Sequence, residues 1–162
     1  MTRFDRIIRV LQEAGVEFIL VGGVAATAHG SARHTEDLDI VYARTPLNIA
    51  RLVSALVLYE PYLRGAPPGL PFRYDAETIR RGLNFTLTTS LGSLDLLGEI
   101  VGGGGYDDLF PESIELKIFG VTCRCIDLDA LIRVKRAAGR PKDLEVIAEL
   151  EALREERDRR QD

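Results

Sequence analysis

Two aspartates separated by one residue, Asp37-Leu38-Asp39, follow the pair Gly22-Gly23 after a short intervening stretch. Residues two apart on a strand project from one face. Two carboxylates held side by side repel each other strongly and require a cation between them, and oxygen ligands of this kind favour Mg2+ or Mn2+. Two glycines without side chains let a bound group approach the backbone closely. A helix after them would present free N–H groups and a partial positive charge, which suits a phosphate. A third aspartate, Asp95, sits inside the apolar run Ser93-Leu94-Asp95-Leu96-Leu97, where a lone carboxylate is costly unless it has a partner. Glu99 and Asp107 are weaker candidates for that third acid, because both fall at or beyond the end of the run.

The elements around these residues follow from periodicity and punctuation. Phe4, Ile7, Ile8 and Leu11 repeat as one face of a helix, and Gly15 suits its C-terminal cap. Val16–Val21 is mostly apolar, as a buried strand is. It ends at Gly22-Gly23, and Val24–His29 reads as a short helix. Asp37–Tyr42 alternates as a second strand. Pro46 fits the first turn of a helix carrying Leu47, Ile49, Leu52, Val53 and Leu56. Arg64–Pro71 holds three prolines and two glycines and reads as a loop. Leu83–Thr88 and Ser93–Leu97 form a candidate hairpin turning at Ser90-Leu91-Gly92. Gly102–Gly105 reads as a flexible loop without the lysine and hydroxyl of a P-loop. Ile114–Phe119 and Val121–Ile126 form another hairpin, with its turn at Gly120. Asp127 or Asp129 caps a helix from near Leu128, and Pro141 starts a last helix with Leu144, Ile147, Ala148 and Leu150 on its apolar face. Strands interleaved with helices indicate one α/β (α+β) domain over residues 1–162, with residues 154–162 a charged, fraying tail.

At 162 residues, with 46% hydrophobic and 28% charged residues, the composition is that of an ordinary globular domain. A net charge of -4 argues against a dedicated nucleic-acid binder. Cys123 and Cys125 on one strand face are too few for a zinc site and read as reduced, small hydrophobes. His29 and His34 read as packing or local hydrogen bonding rather than ligation. Arg3, Asp5, Arg6 and Arg9 interrupt any signal-peptide core, and no run approaches the ~20 apolar residues of a membrane span. A cytoplasmic protein with no membrane association is the expectation.

The ordered set Gly22-Gly23, Asp37-Leu38-Asp39 and Asp95 resembles the nucleotidyltransferase superfamily that includes DNA polymerase beta and the minimal nucleotidyltransferases. The runs Val21 to Gly30, Arg33 to Asp39 and Lys135 to Glu145 resemble bacterial nucleotidyltransferases related to the AbiEii toxins. The resemblance implies a mixed central sheet flanked by helices, with C-terminal helices. It implies two divalent ions, Mg2+ or Mn2+, bridged by Asp37 and Asp39, with Asp95 completing a shell and taking the nucleophile's proton. It also implies an NTP donor, ATP among the candidates, held by Gly22, Gly23, Arg33, Lys135 and Lys142, with Arg140 and Asp143 in the same stretch. Relatives often carry an acid where this chain has Val146.

Three functions stay open at this point. One is an enzyme moving a nucleoside monophosphate onto a protein, an RNA end or a small molecule, within a toxin–antitoxin module or outside one. Another is a catalytically quiet relative working through a partner protein, which three retained, mutually repelling carboxylates disfavour. The last is a Mg2+-binding domain of another class such as a nuclease, against which the glycine pair speaks.

Overall fold

In the computed structural model, which describes residues 1–161, these residues form seven α-helices and nine strands, with two short 3-10 helices. Helix α1 (Phe4–Glu13) buries Ile7, Ile8 and Leu11 and ends before Gly15, whose φ of 74° places it in the left-handed region. Strand β1 (Phe18–Val21) is buried at every position. Helix α2 (Gly22–Ala28) begins at the glycine pair itself, two residues earlier than the sequence suggested. Strand β2 (Asp37–Tyr42) and helix α3 (Pro46–Leu56) match expectation, with Thr45 accepting a hydrogen bond from the Asn48 amide at the α3 N-terminus.

Strands β3 (Tyr62–Leu63), β4 (Phe85–Thr89) and β5 (Gly92–Leu97) follow, with helix α4 (Ala76–Arg81) before β4. Strands β6 (Glu99–Ile100) and β7 (Gly104–Gly105) pair as a small ribbon, so part of the expected Gly102–Gly105 loop is ordered strand. After helix α5 (Tyr106–Leu109) come the hairpin strands β8 (Ser113–Ile118) and β9 (Val121–Ile126). Their turn places both Phe119 and Gly120 at positive φ, so the strand stops one residue short of Phe119. Helix α6 (Leu128–Ala138) is capped by Asp127, which accepts from the Ala130 amide at 2.8 Å.

Helix α7 (Pro141–Gln161) buries Asp143, Val146, Ile147 and Leu150, while Leu144 and Ala148 face solvent. The expected apolar face is therefore rotated, and Val146 belongs to the core. The helix continues through Gln161, with Arg154 and Arg157 reaching Asp129 on α6, and Asp162 of the expected tail lies outside the described residues.

The central sheet has seven strands in the order β3-β4-β5-β2-β1-β9-β8. It is mixed: β2 runs parallel to β5 and β1 parallel to β9, whereas the remaining pairs are antiparallel. Leu38 and Ile40 on β2 and Leu94 and Leu96 on β5 are fully buried and face the core. The pleat therefore sends Asp37, Asp39 and Asp95 to the opposite face. Cys123 and Cys125 share a face of β9 and are buried free thiols, both pushed up by burial. Among the described residues no helix is long and apolar enough to cross a membrane.

Candidate active site

The register of β2 against its neighbours decides which side chains meet. Asp39 pairs with Val21 on one side and with Asp95 on the other, and Asp95 pairs in turn with Thr86. Parallel neighbours lie roughly 4.8 Å apart, so two carboxylates stand abreast in adjacent strands with Asp37 one pleat away. Together they line a cavity of about 470 Å³ closed on its other side by α6 and the start of α7.

Crowding sets the electrostatics. Burial first, then the abutting Asp95 carboxyl and the charge of Asp37, hold Asp39 well above the ordinary carboxylate range, with only partial relief from Lys135. The nearest guanidinium is that of Arg64, which follows β3. Its Nη2 donates to Asp95 Oδ1 at 2.8 Å and to the Leu87 carbonyl at 2.7 Å, and its Nη1 lies 3.7 Å from Asp37 Oδ1. The Arg64 amide donates to the Thr86 carbonyl at 2.9 Å, so its backbone prolongs β3 alongside β4.

Gly22 lines the cavity, and its φ of 67° favours glycine. A Cβ there would run into the Asp39 carboxylate, so this glycine makes room for the acid itself. Gly23 does not line the cavity: a Cβ on it would lie 2.6 Å from the Thr35 hydroxyl.

Opposite the aspartates, Lys135, Arg140 and Lys142 reach the cavity. Two of them are fixed by Asp143, which is completely buried. Its Oδ2 accepts from Arg140 Nε at 2.6 Å and from the Arg140 amide at 3.2 Å, and its Oδ1 lies 3.4 Å from Lys135 Nζ. Burial pulls the Asp143 carboxyl upward, but the Arg140 hydrogen bonds and the Lys135 charge outweigh it and hold the group below its ordinary range. Ile100, Val101, Leu131 and Val134 supply an apolar flank.

The structure thus brings Asp37, Asp39, Asp95, Gly22, Lys135, Arg140, Lys142 and Asp143 around one cavity. It does not bring Arg33 there: that side chain lies 3.4 Å from Glu145 on the outside of α7 and is half exposed. His29 Nε2 lies 2.8 Å from the Ile126 carbonyl at the end of β9, a contact between segments far apart in sequence, and His34 is solvent-exposed beside Glu36. Arg64 was not expected, because it stands at the head of a proline- and glycine-rich stretch with no periodic signal.

The donor set is all oxygen, which fits a hard divalent cation. An ion shared by the aspartates would relieve the repulsion that raises Asp39. As the side chains stand, no three such ligands converge into a ready cage among the described residues, and it is Arg64 that engages Asp95.

No protein-family model matches the chain, and no curated protein matches it by sequence. Solved structures do. A lincosamide antibiotic adenylyltransferase, LnuA, solved with lincomycin bound, superposes with a TM-score of 0.60 at 16% identity, covering 94% of this chain and 98% of its own. A protein from Thermotoga maritima assigned as a nucleotidyltransferase gives 0.55 at 13% identity, covering 92% and 94%. An antigenic nucleotidyltransferase-like protein from Paracoccidioides brasiliensis gives 0.55 at 16%, covering 90% and 72%. With its mixed sheet flanked by helices, the chain has the nucleotidyltransferase fold.

Proposed function

We propose that residues 1–162 form one catalytic domain, a divalent-metal-dependent nucleotidyltransferase that moves a nucleoside monophosphate from an NTP to a hydroxyl acceptor. The observation that carries this is the meeting of Asp37, Asp39 and Asp95 from adjacent strands at a cavity whose far wall holds Lys135, Arg140 and Lys142. Carboxylates facing cations across a cleft match a metal–triphosphate: the acids take the metal, the bases the phosphates.

Asp37, Asp39 and Asp95 would hold Mg2+ or Mn2+, which supplies phosphate charge neutralisation and a more acidic acceptor hydroxyl when bound. Lys135, Arg140 and Lys142 bind the triphosphate and offset the charge that develops on the departing pyrophosphate. Asp143 keeps Lys135 and Arg140 aimed at the cavity instead of free in solvent. Asp95 accepts the proton of the acceptor hydroxyl, whose oxygen attacks the α-phosphorus in line with the leaving pyrophosphate. Gly22 leaves Asp39 the room to stand at the cavity, and the apolar flank excludes water. ATP is the first donor to test, since LnuA is an adenylyltransferase. The AbiEii-like runs favour an acceptor or a partner protein within a toxin–antitoxin module.

Calorimetry with each NTP, with and without Mg2+, tests this on wild type and on Asp37→Ala/Asp39→Ala. Mg2+-dependent binding that disappears in the double variant is the expected result. Absence of binding by any nucleotide to folded wild-type protein would sink the transferase reading.

A further inference from the structure

We propose that Arg64 is the positioning residue of the carboxylate cluster: it holds Asp95 by one carboxylate oxygen, so that the free oxygen of Asp95 faces Asp39 and the cavity. This rests on the transferase reading and adds to it a residue that no motif marks.

The position of Arg64 is fixed by the same register that aligns the aspartates. Val21, Asp39, Asp95 and Thr86 form one row across β1, β2, β5 and β4, and the Arg64 amide bonded to Thr86 continues that row. The side chain then turns back over β4 toward Asp95. Asp37, Asp39 and Asp95 line the cavity, and Arg64 does not. The guanidinium therefore meets the acids without itself lining that cavity.

Its contacts are those of a bracket. One nitrogen, Nη2, joins Asp95 Oδ1 to the Leu87 carbonyl, tying a side chain of β5 to the backbone of β4. Nη1 adds a longer-range charge contact to Asp37 at 3.7 Å. Nε is buried without any hydrogen-bond partner. A buried N–H left unpaired is costly, so this pose is held by the Nη contacts and not by a generally favourable pocket. A planar fork with fixed donors suits that task, and a flexible ammonium does not. With one lone pair of Asp95 Oδ1 taken by Nη2, Oδ2 is the oxygen left wholly free to meet Asp39 or a cation. Groups that orient metal ligands in this way are commonly worth about 10- to 100-fold in metal affinity.

The test is Mn2+ binding to the full chain without nucleotide, read from the loss of the free-ion electron paramagnetic resonance signal. Wild type, Arg64→Ala, Arg64→Lys and Asp37→Ala/Asp39→Ala are compared, with circular dichroism to establish that each is folded. Arg64→Ala is expected to bind Mn2+ about 10- to 100-fold more weakly. Arg64→Lys should recover part of that loss, because an ammonium restores charge but cannot span Asp95 and the Leu87 carbonyl together. A folded Arg64→Ala with unchanged affinity overturns the proposal. Tighter binding also overturns it, since Arg64 would then be a competitor of the ion. Should Arg64→Ala not fold, Arg64→Lys decides, and wild-type affinity there overturns the bracket. Wild-type Mn2+ binding that vanishes in the double aspartate variant but persists in the Arg64 variants defeats this proposal alone. No Mn2+ binding by wild type defeats both it and the transferase reading.

Discussion

Asp39 and Asp143 sit on opposite walls of one cavity, and their carboxyls are held in opposite directions. Asp143 has no exposure, yet Arg140 and Lys135 keep it below the ordinary carboxylate range. Asp39 is pushed well above that range by burial and by two neighbouring acids. The first is a completed ion cluster whose cations come from the chain. The second has more negative charge than its nearby cations satisfy, which is the imbalance that the proposed divalent cation would relieve. Burial is common to both, so the number of cations within reach decides the sign.

The same substitution should therefore act oppositely at the two positions. Asp143→Asn leaves Lys135 and Arg140 without their anion. Removing one member of a buried pair costs about 3–5 kcal/mol. Because the Arg140 side chain is 59% exposed and water can replace part of what it loses, a loss of roughly 2–3 kcal/mol is expected. Urea unfolding of the metal-free protein measures it. A loss below about 0.5 kcal/mol, the usual scatter of surface changes, would mean that the cluster on this wall is not complete in the sense argued here.

Gly22→Ala probes the crowded wall through its backbone. An alanine at a φ of 67° carries the cost of the left-handed region, and its Cβ collides with the Asp39 carboxylate. Together these cost about 2 kcal/mol. The substitution should also weaken Mg2+-nucleotide binding, because Asp39 must move. A variant with wild-type stability would show that the acid has room to spare.

Asp39→Asn should instead stabilise the metal-free protein, increasingly as pH rises above the ordinary carboxylate range. The folded protein keeps the Asp39 proton at pH values where the unfolded chain has released it. This contribution is whole below the ordinary carboxylate value of about 4 and is lost as pH rises toward the raised value of the folded state. Asparagine has no such proton, so the difference between variant and wild type should open as pH climbs through that window. On the order of 1–2 kcal/mol is expected at pH 8. Saturating Mn2+ should close the gap by stabilising wild type alone. A difference that does not change with pH would remove the crowding account of Asp39.

Much of this contrast was legible in the sequence, and the illegible part has a common physical cause. Asp37 and Asp39 stand two apart on one strand, so their shared face followed from spacing, whereas Asp95 was joined to them through the resemblance and its place in an apolar run. Arg64 reaches Asp95 across 31 residues of chain from an aperiodic stretch, and nothing local encodes a contact of that span. The β3 strand and the β6–β7 ribbon are two residues long, shorter than any alternation that could reveal them. Helix α7 misled for a different reason. A buried Asp143 takes a place on its inner face that a count of apolar residues does not reserve for it, so Leu144 and Ala148 were put inside although both face solvent. The glycine pair was found but only half understood: its space is taken by Asp39 and Thr35, which a sequence cannot show.

The smallest expected effect concerns Arg33, the basic residue that the resemblance assigned to the nucleotide. Its guanidinium lies 3.4 Å from the Glu145 carboxylate and 3.3 Å from the Glu145 carbonyl, both on the outside of α7. Half-exposed pairs of this kind contribute about 0–1 kcal/mol. Arg33→Ala should therefore leave stability nearly unchanged and nucleotide affinity within about twofold of wild type. Lys135→Ala removes a cation that lines the cavity and should weaken nucleotide binding about tenfold or more, the scale of a lost charge-assisted hydrogen bond. Measured side by side by calorimetry, the two variants separate cations that the fold aims at the cavity from those it spends on its own surface. If Arg33→Ala loses as much affinity as Lys135→Ala, Arg33 must leave Glu145 when nucleotide binds. The wall opposite the aspartates would then be completed by ligand, as the acidic wall is proposed to be, and the asymmetry between the two would disappear.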